Sequence, residues 1–145
     1  MRNLLISLVL MLSASSIVAA PISVDVFTLS QWPIRQSAVY HALPDTATVT
    51  IYQLDSLTVL HHALNDYVKS HYMTLSKEAV AQSAKQWLVQ HQSQYQHAAV
   101  GLANAQRYHI TQLPAMVFNQ QALVVGTTDI SAAYSAYLDH QRAST

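Results

Sequence analysis

Apolar positions along this chain fall into short alternating runs and longer helical stripes. Ser23-Val24-Asp25-Val26-Phe27-Thr28-Leu29 alternates and predicts a first strand, with Val24 and Val26 on one face. Ser30-Gln31-Trp32-Pro33 interrupts it, and Pro33 suits the first turn of a short helix over Ile34 to Ala42, closed by Leu43-Pro44-Asp45. A second strand is expected over Ala47 to Leu54, where Val49 and Ile51 face one way between β-branched threonines. Asp55 or Ser56 then caps a helix whose stripe runs Leu57, Leu60, Leu64, Tyr67 and Val68.

Met73-Thr74-Leu75 breaks that helix, and Ser76 followed by Lys77-Glu78-Ala79 is a new N-cap with an acid in the first turn. Val80, Ala84, Trp87, Leu88, His91, Tyr95, Ala98, Ala99, Leu102 and Ala105 then stay in helical phase. At 1.5 Å per residue an unbroken helix of this length reaches roughly 45 Å, too long for a domain of this size. A kink or break is therefore expected between His91 and Gln96, with Gly101 allowing close packing.

Leu113-Pro114-Ala115-Met116-Val117-Phe118, the polar turn Asn119-Gln120-Gln121, and Ala122-Leu123-Val124-Val125-Gly126 read as a buried hairpin. Pro114 has no N–H, so it belongs at the first residue of the strand, where a cis peptide bond is also accommodated. Thr127-Thr128-Asp129 caps a last helix with Ile130, Ala133, Tyr134, Tyr137 and Leu138 inward. The order β-α-β-α-α-β-β-α predicts an α/β fold with one mixed central sheet and helices on both faces.

The segment ahead of this pattern reads as an export signal. Arg2 is a positive n-region, Leu4 to Leu12 an apolar stretch, and Ser13 to Ala20 ends in small residues suited to cleavage after Ala19 or Ala20. Residues 1–20 are accordingly assigned as a signal peptide and residues 21–145 as one domain of about 125 residues. No later stretch has the roughly 18 apolar residues of a membrane span, so no stable membrane insertion is expected after cleavage and the location expected is periplasmic.

The mature chain carries six Lys and Arg against seven Asp and Glu, and Arg35, Lys69, Lys77, Lys85, Arg107 and Arg142 are scattered. That distribution argues against a nucleic-acid partner. The chain has no cysteine, which removes thiol–disulfide chemistry and leaves the core to hold the fold.

Candidate chemistry is thin. Eight histidines invite a metal site, yet His61 and His62 diverge around a helix and His91 and His97 fall on different faces, so no metal or cofactor is expected. Ser30, His41 and Asp45 can be grouped on paper, but no Gly-x-Ser-x-Gly elbow exists and the chain has only two glycines. The carboxylates are dispersed, and Asp55 and Asp129 have capping roles available. The chain is therefore not expected to be an enzyme.

The loop after the first strand leading into a helix, together with the proline opening the hairpin, resembles the thioredoxin fold. In that resemblance Pro114 matches the cis-proline site, and Ser30-Gln31-Trp32-Pro33 falls where the cysteines stand, so redox activity is not implied. A closer likeness spans nearly the whole mature chain. It is carried by Val24-Asp25-Val26-Phe27-Thr28, Val49-Thr50-Ile51-Tyr52-Gln53-Leu54-Asp55, Gly101-Leu102-Ala103-Asn104-Ala105, Leu113 to Phe118 and Val125-Gly126-Thr127-Thr128-Asp129-Ile130. These resemble small exported proteins encoded by integrating conjugative elements, which are similar in turn to the thioredoxin-like pilin-assembly proteins of F-type conjugation. His109 stands where that likeness leads to a glycine before Ile110.

The resemblance implies a non-redox protein-binding module serving a conjugative type IV secretion apparatus, with components of that apparatus or pilin as partners. A transient chaperone or stabilising factor for an exported client such as pilin is the alternative, with an enzyme of unrecognised type a more distant third. Ser30, Gln31, Trp32, Pro33, Leu113 and Pro114 are the expected protein-binding residues, lining a groove where an extended segment adds main chain to main chain. The contrasting reading has Trp32 packed on the core and Pro114 only shaping the hairpin.

Overall fold

β1 (Ser23–Thr28) is the strand on which the sheet is built. It pairs in parallel with β2 (Thr48–Gln53) and antiparallel with β3 (Ala115–Phe118), which in turn forms a hairpin with β4 (Ala122–Val125), giving the order β2-β1-β3-β4. Between β2 and β3 run α1 (Ser56–Tyr72), α2 (Lys77–Gln90) and α3 (Gln92–Arg107), and α4 (Ile130–Ala143) follows β4. The protein is thus mixed α/β, with a four-stranded mixed sheet and four helices among the described residues. The structure, a computed structural model, describes residues 21–34 and 43–144. The expected signal over residues 1–20, most of the helix expected over Ile34 to Ala42, and His41 lie outside the described residues.

Strand alternation sorts the core into two layers. On one face Val24, Val26, Met116 and Phe118 pack with Ile130, Ala133 and Tyr137 of α4 and with Leu43. On the other, Phe27, Tyr52, Ala115 and Val117 pack with Ala105 of α3 and with the half-buried Leu54, Tyr108, Ile110 and Leu113. Helices therefore cover both faces. Asp25 faces the second layer, where its Oδ2 accepts a hydrogen bond from the Tyr108 hydroxyl at 3.1 Å. Burial, reinforced by that carboxylate, pushes the Tyr108 hydroxyl above its usual pKa.

The long helical stripe breaks at His91, inside the expected window. His91 ends α2 and begins α3; its Nδ1 donates to the Trp87 carbonyl at 2.8 Å and its ring stacks on Trp87 at 3.7 Å. Leu88, Ala99 and Leu102, expected inward, are exposed instead. The reason for the last two is the closeness of α3 to the sheet, which buries only its small residues Ala98, Gly101 and Ala105. A Cβ built on Gly101 comes within 2.8 Å of Tyr52 Cδ1 and 2.9 Å of Tyr52 Cβ. The bulkier Leu102 has no room on that line and turns to the flank.

Two turns use residues in the left-handed region. At the end of α3 the Ile110 N–H donates to the Ala105 carbonyl and the His109 N–H to the Gln106 carbonyl, a Schellman arrangement with His109 at φ 53°. The glycine expected there by resemblance is the residue this geometry favours. The hairpin turns through Asn119 at φ 50° and Gln120 at φ 58°, the sign pattern of a primed turn. Asn119 also locks it in place: its Oδ1 accepts from the Ser23 N–H at 2.9 Å and its Nδ2 donates to the Tyr137 hydroxyl at 3.0 Å.

Gly101→Ala should lower stability by about 1–3 kcal/mol, because the methyl meets the root of a buried ring and overpacking outweighs the roughly 1 kcal/mol gain in helix propensity. His109→Gly should raise stability by about 0.5–1 kcal/mol, since it relieves an unfavourable φ at an exposed position. Chemical denaturation of the two variants beside the parent checks both signs.

Candidate functional site

The topology brings three loops to one end of the sheet. β1 and β2 are parallel, so the segments leaving Thr28 and Gln53 emerge side by side. β3 runs the other way, so its start lies at the same end. Continuing the pairing of Phe27 with Ala115 sets Pro114 across from Thr28. The Leu113–Pro114 peptide is cis, and the Pro114 carbonyl accepts from the Gly126 N–H at 2.8 Å. Pro114 is half-buried, as is Leu113, which packs against the second core layer.

The loop after β1 is tied down at several points. Thr28, fully buried, donates its hydroxyl to the Trp32 carbonyl at 2.6 Å, while the Trp32 N–H closes a turn onto the Leu29 carbonyl at 2.9 Å. Ser30 is clasped from β2's side: its N–H donates to Asp55 Oδ1 at 3.0 Å and Oδ2 at 3.1 Å, and its hydroxyl donates to Oδ2. Asp55 occupies the N-cap position of α1, but its carboxylate makes no capping bond there. The expected capping role is thus corrected. Two donors on Ser30 compete for the carboxylate, and the α1 amides lose. The Ser30 hydroxyl holds the Asp55 carboxyl below the usual carboxylate range, against a smaller opposing effect of burial.

This tethering leaves Ser30, Gln31, Trp32 and Pro33 exposed, with Trp32 at 40% exposure. Trp32 is therefore not packed on the core. Beside Ser30 opens a shallow cleft of about 460 Å³ between β2, α1 and α3, with Val59 and Leu60 as its apolar part and Ser56, Gln94 and His97 among its polar ones. His97 reaches back to the sheet. Its Nε2 donates to the Ile51 carbonyl at 2.9 Å and its ring stacks on Tyr52 at 5.0 Å.

The sequence reading missed the Ser30–Asp55 clasp and the place of His97. The first had a signal: an acid directly after a strand parallel to β1 must lie beside the loop that leaves β1. The second had none, because it depends on how far α3 lies across the sheet. Ser30 pairs with Asp55 rather than Asp45. Among the described residues no group of three or more His, Asp or Glu is arranged to hold a metal ion, and no helix is long and apolar enough to cross a membrane.

A folded-state pKa lowered at Asp55 means the clasp stabilises the protein above the ordinary carboxylate pKa and is lost as pH falls through the lowered value. Asp55→Asn should remove that part of the acid dependence. It should also cost about 1 kcal/mol or less at neutral pH, since the group is solvent-screened. Denaturant titrations of parent and variant between neutral and acidic pH check this, with the difference between them shrinking as pH falls.

No curated protein and no solved structure matches the chain. One family model does, over residues 22–143, a span that takes in the four strands and four helices of the described residues and both sides of the tethered loop. The chain belongs to that family, described as "Protein of unknown function (DUF1525)".

Proposed function

We propose that this chain is an exported, periplasmic, non-redox module with a thioredoxin-like fold that binds an extended segment of a protein partner. The proposed setting is a conjugative type IV secretion apparatus encoded by an integrating conjugative element, and the partner a component of that apparatus or its pilin. The reading draws on the strand order β2-β1-β3-β4 with a proline across from the loop after β1. It also draws on the family likeness noted in the sequence.

The observation that carries it is Trp32: a large aromatic held in the open on a loop fixed by Thr28 and Asp55. An exposed indole on a pre-ordered backbone loses little conformational entropy on binding, and Trp is enriched among the residues that dominate interface energies. The hydroxyl of Ser30 is hydrogen-bonded to a carboxylate and His97 to a main-chain carbonyl, so both are engaged in holding the loop and the edge. Those roles fit a scaffold for binding.

Trp32→Ala should abolish capture of the partner in a crosslinking pull-down from donor cells while leaving the melting temperature within a few degrees of the parent, as a surface substitution does. A large drop in melting temperature with capture retained would overturn the reading. Loss of a client from donor cells lacking the gene, with no complex recovered, would instead favour a transient chaperone.

A further inference from the structure

The cleft beside Ser30 has a composition that narrows what can occupy it. Its apolar part is Leu60, buried, and Val59, 50% exposed, both on α1. Around that patch stand Ser56, Ser93 and Gln94, whose side chains make no hydrogen bond with any described residue. Among the described residues no Lys, Arg, Asp or Glu lines it. A ligand bearing a phosphate, carboxylate or ammonium group would find no counter-charge there. A neutral ligand that offers donors and acceptors beside an aliphatic group fits, and that is the chemistry of a polypeptide segment.

The edge of the sheet supplies a register. Hydrogen bonds from the Thr48 N–H to the Ile22 carbonyl and from the Leu54 N–H to the Thr28 carbonyl turn the even-numbered residues of β2 towards β1. Val49, Ile51 and Gln53 therefore point their main-chain groups outward. His97 of α3 occupies the Ile51 carbonyl, so a partner strand cannot run the length of β2. Gln53 lies beyond that block and lines the cleft, and its N–H and C=O meet no group among the described residues. One residue of an extended segment can pair there. The residue next to it then turns its side chain to the face of Tyr52 and α3, where Val59 and Leu60 line the cleft.

We infer that this cleft is the side-chain subsite for the captured segment: it takes one uncharged aliphatic side chain of the partner on Val59 and Leu60, with the adjoining main chain held at Gln53. This rests on the proposed capture of an extended segment by the Trp32 loop. Ser30 joins the two places, since it belongs to that loop and to the wall of the cleft. With about 460 Å³ the cleft has room for one such side chain and the main chain on either side of it. Trp32 supplies contact that many segments can use, and the cleft decides which of them is held.

The test is an NMR titration of the isotope-labelled chain with capped oligo-threonine peptides, which their β-branched residues keep extended, carrying one central leucine, aspartate or lysine. The leucine peptide should shift the amide signals of Gln53, Val59 and Gln94. It should also bind about tenfold or more tighter than the aspartate and lysine peptides, whose charge the cleft leaves unpaired. Val59→Asp, a substitution at an exposed position, should reverse the order of the leucine and lysine peptides. Trp32→Ala should weaken all three peptides while preserving their order. Equal affinity for the three, an order unmoved by Val59→Asp, or shifts confined to Gln31 and Trp32 would overturn the subsite and leave capture by the loop standing. No shift in either region with any peptide would overturn both.

Discussion

The stack of rings running from Phe27 through Tyr52 to His97 fixes the relation of the helical layer to the sheet. Phe27 and Tyr52 lie parallel-offset at 5.4 Å and Tyr52 and His97 at 5.0 Å, so β1, β2 and α3 are joined through one continuous contact. Gly101 lets α3 settle against the Tyr52 ring, and Asn104 donates to the Tyr52 hydroxyl at 3.2 Å. Once α3 is set there, His97 necessarily reaches the open edge of β2. α1, packed against α2 and α3, then starts where Asp55 meets the loop from β1.

Two consequences follow for function. The loop carrying Trp32 is held by bonds to Thr28 on one side and Asp55 on the other, so an exposed aromatic sits on an ordered backbone rather than on a wandering one. That is the arrangement on which the proposed capture of an extended segment rests. The second consequence is an asymmetry: α3 reaches one sheet edge, and no helix among the described residues hydrogen-bonds the main-chain groups of the other.

Much of the architecture was legible because it is written locally. The alternation of Val24, Val26 and Phe27, the Asn119–Gln120 turn, the caps at Ser76 and Asp129, and the interruption at His91 each depend on residues within one or two turns of each other. What escaped depends on distance across the sheet. Asp55 has every local mark of a helix cap, yet a donor 25 residues earlier takes its carboxylate. Leu102 is in phase with Ala98 and Ala105, but the closeness imposed by Gly101 and Tyr52 leaves no depth for a large side chain. From sequence Trp32 reads as a groove residue or, with more weight, as a core one. The hydrogen bond from buried Thr28 to its carbonyl is what holds the segment so that the indole faces outward.

The central claim is that the loop at Ser30 to Pro33 touches a protein partner during transfer. A photo-crosslinking amino acid placed at exposed Gln31, and separately at exposed His61 on α1 as a control, reads this directly in donor cells. The account predicts a discrete adduct with a component of the conjugative apparatus from position 31 and none from position 61. Ongoing transfer with no adduct at position 31, or with the same adducts from both positions, would contradict it.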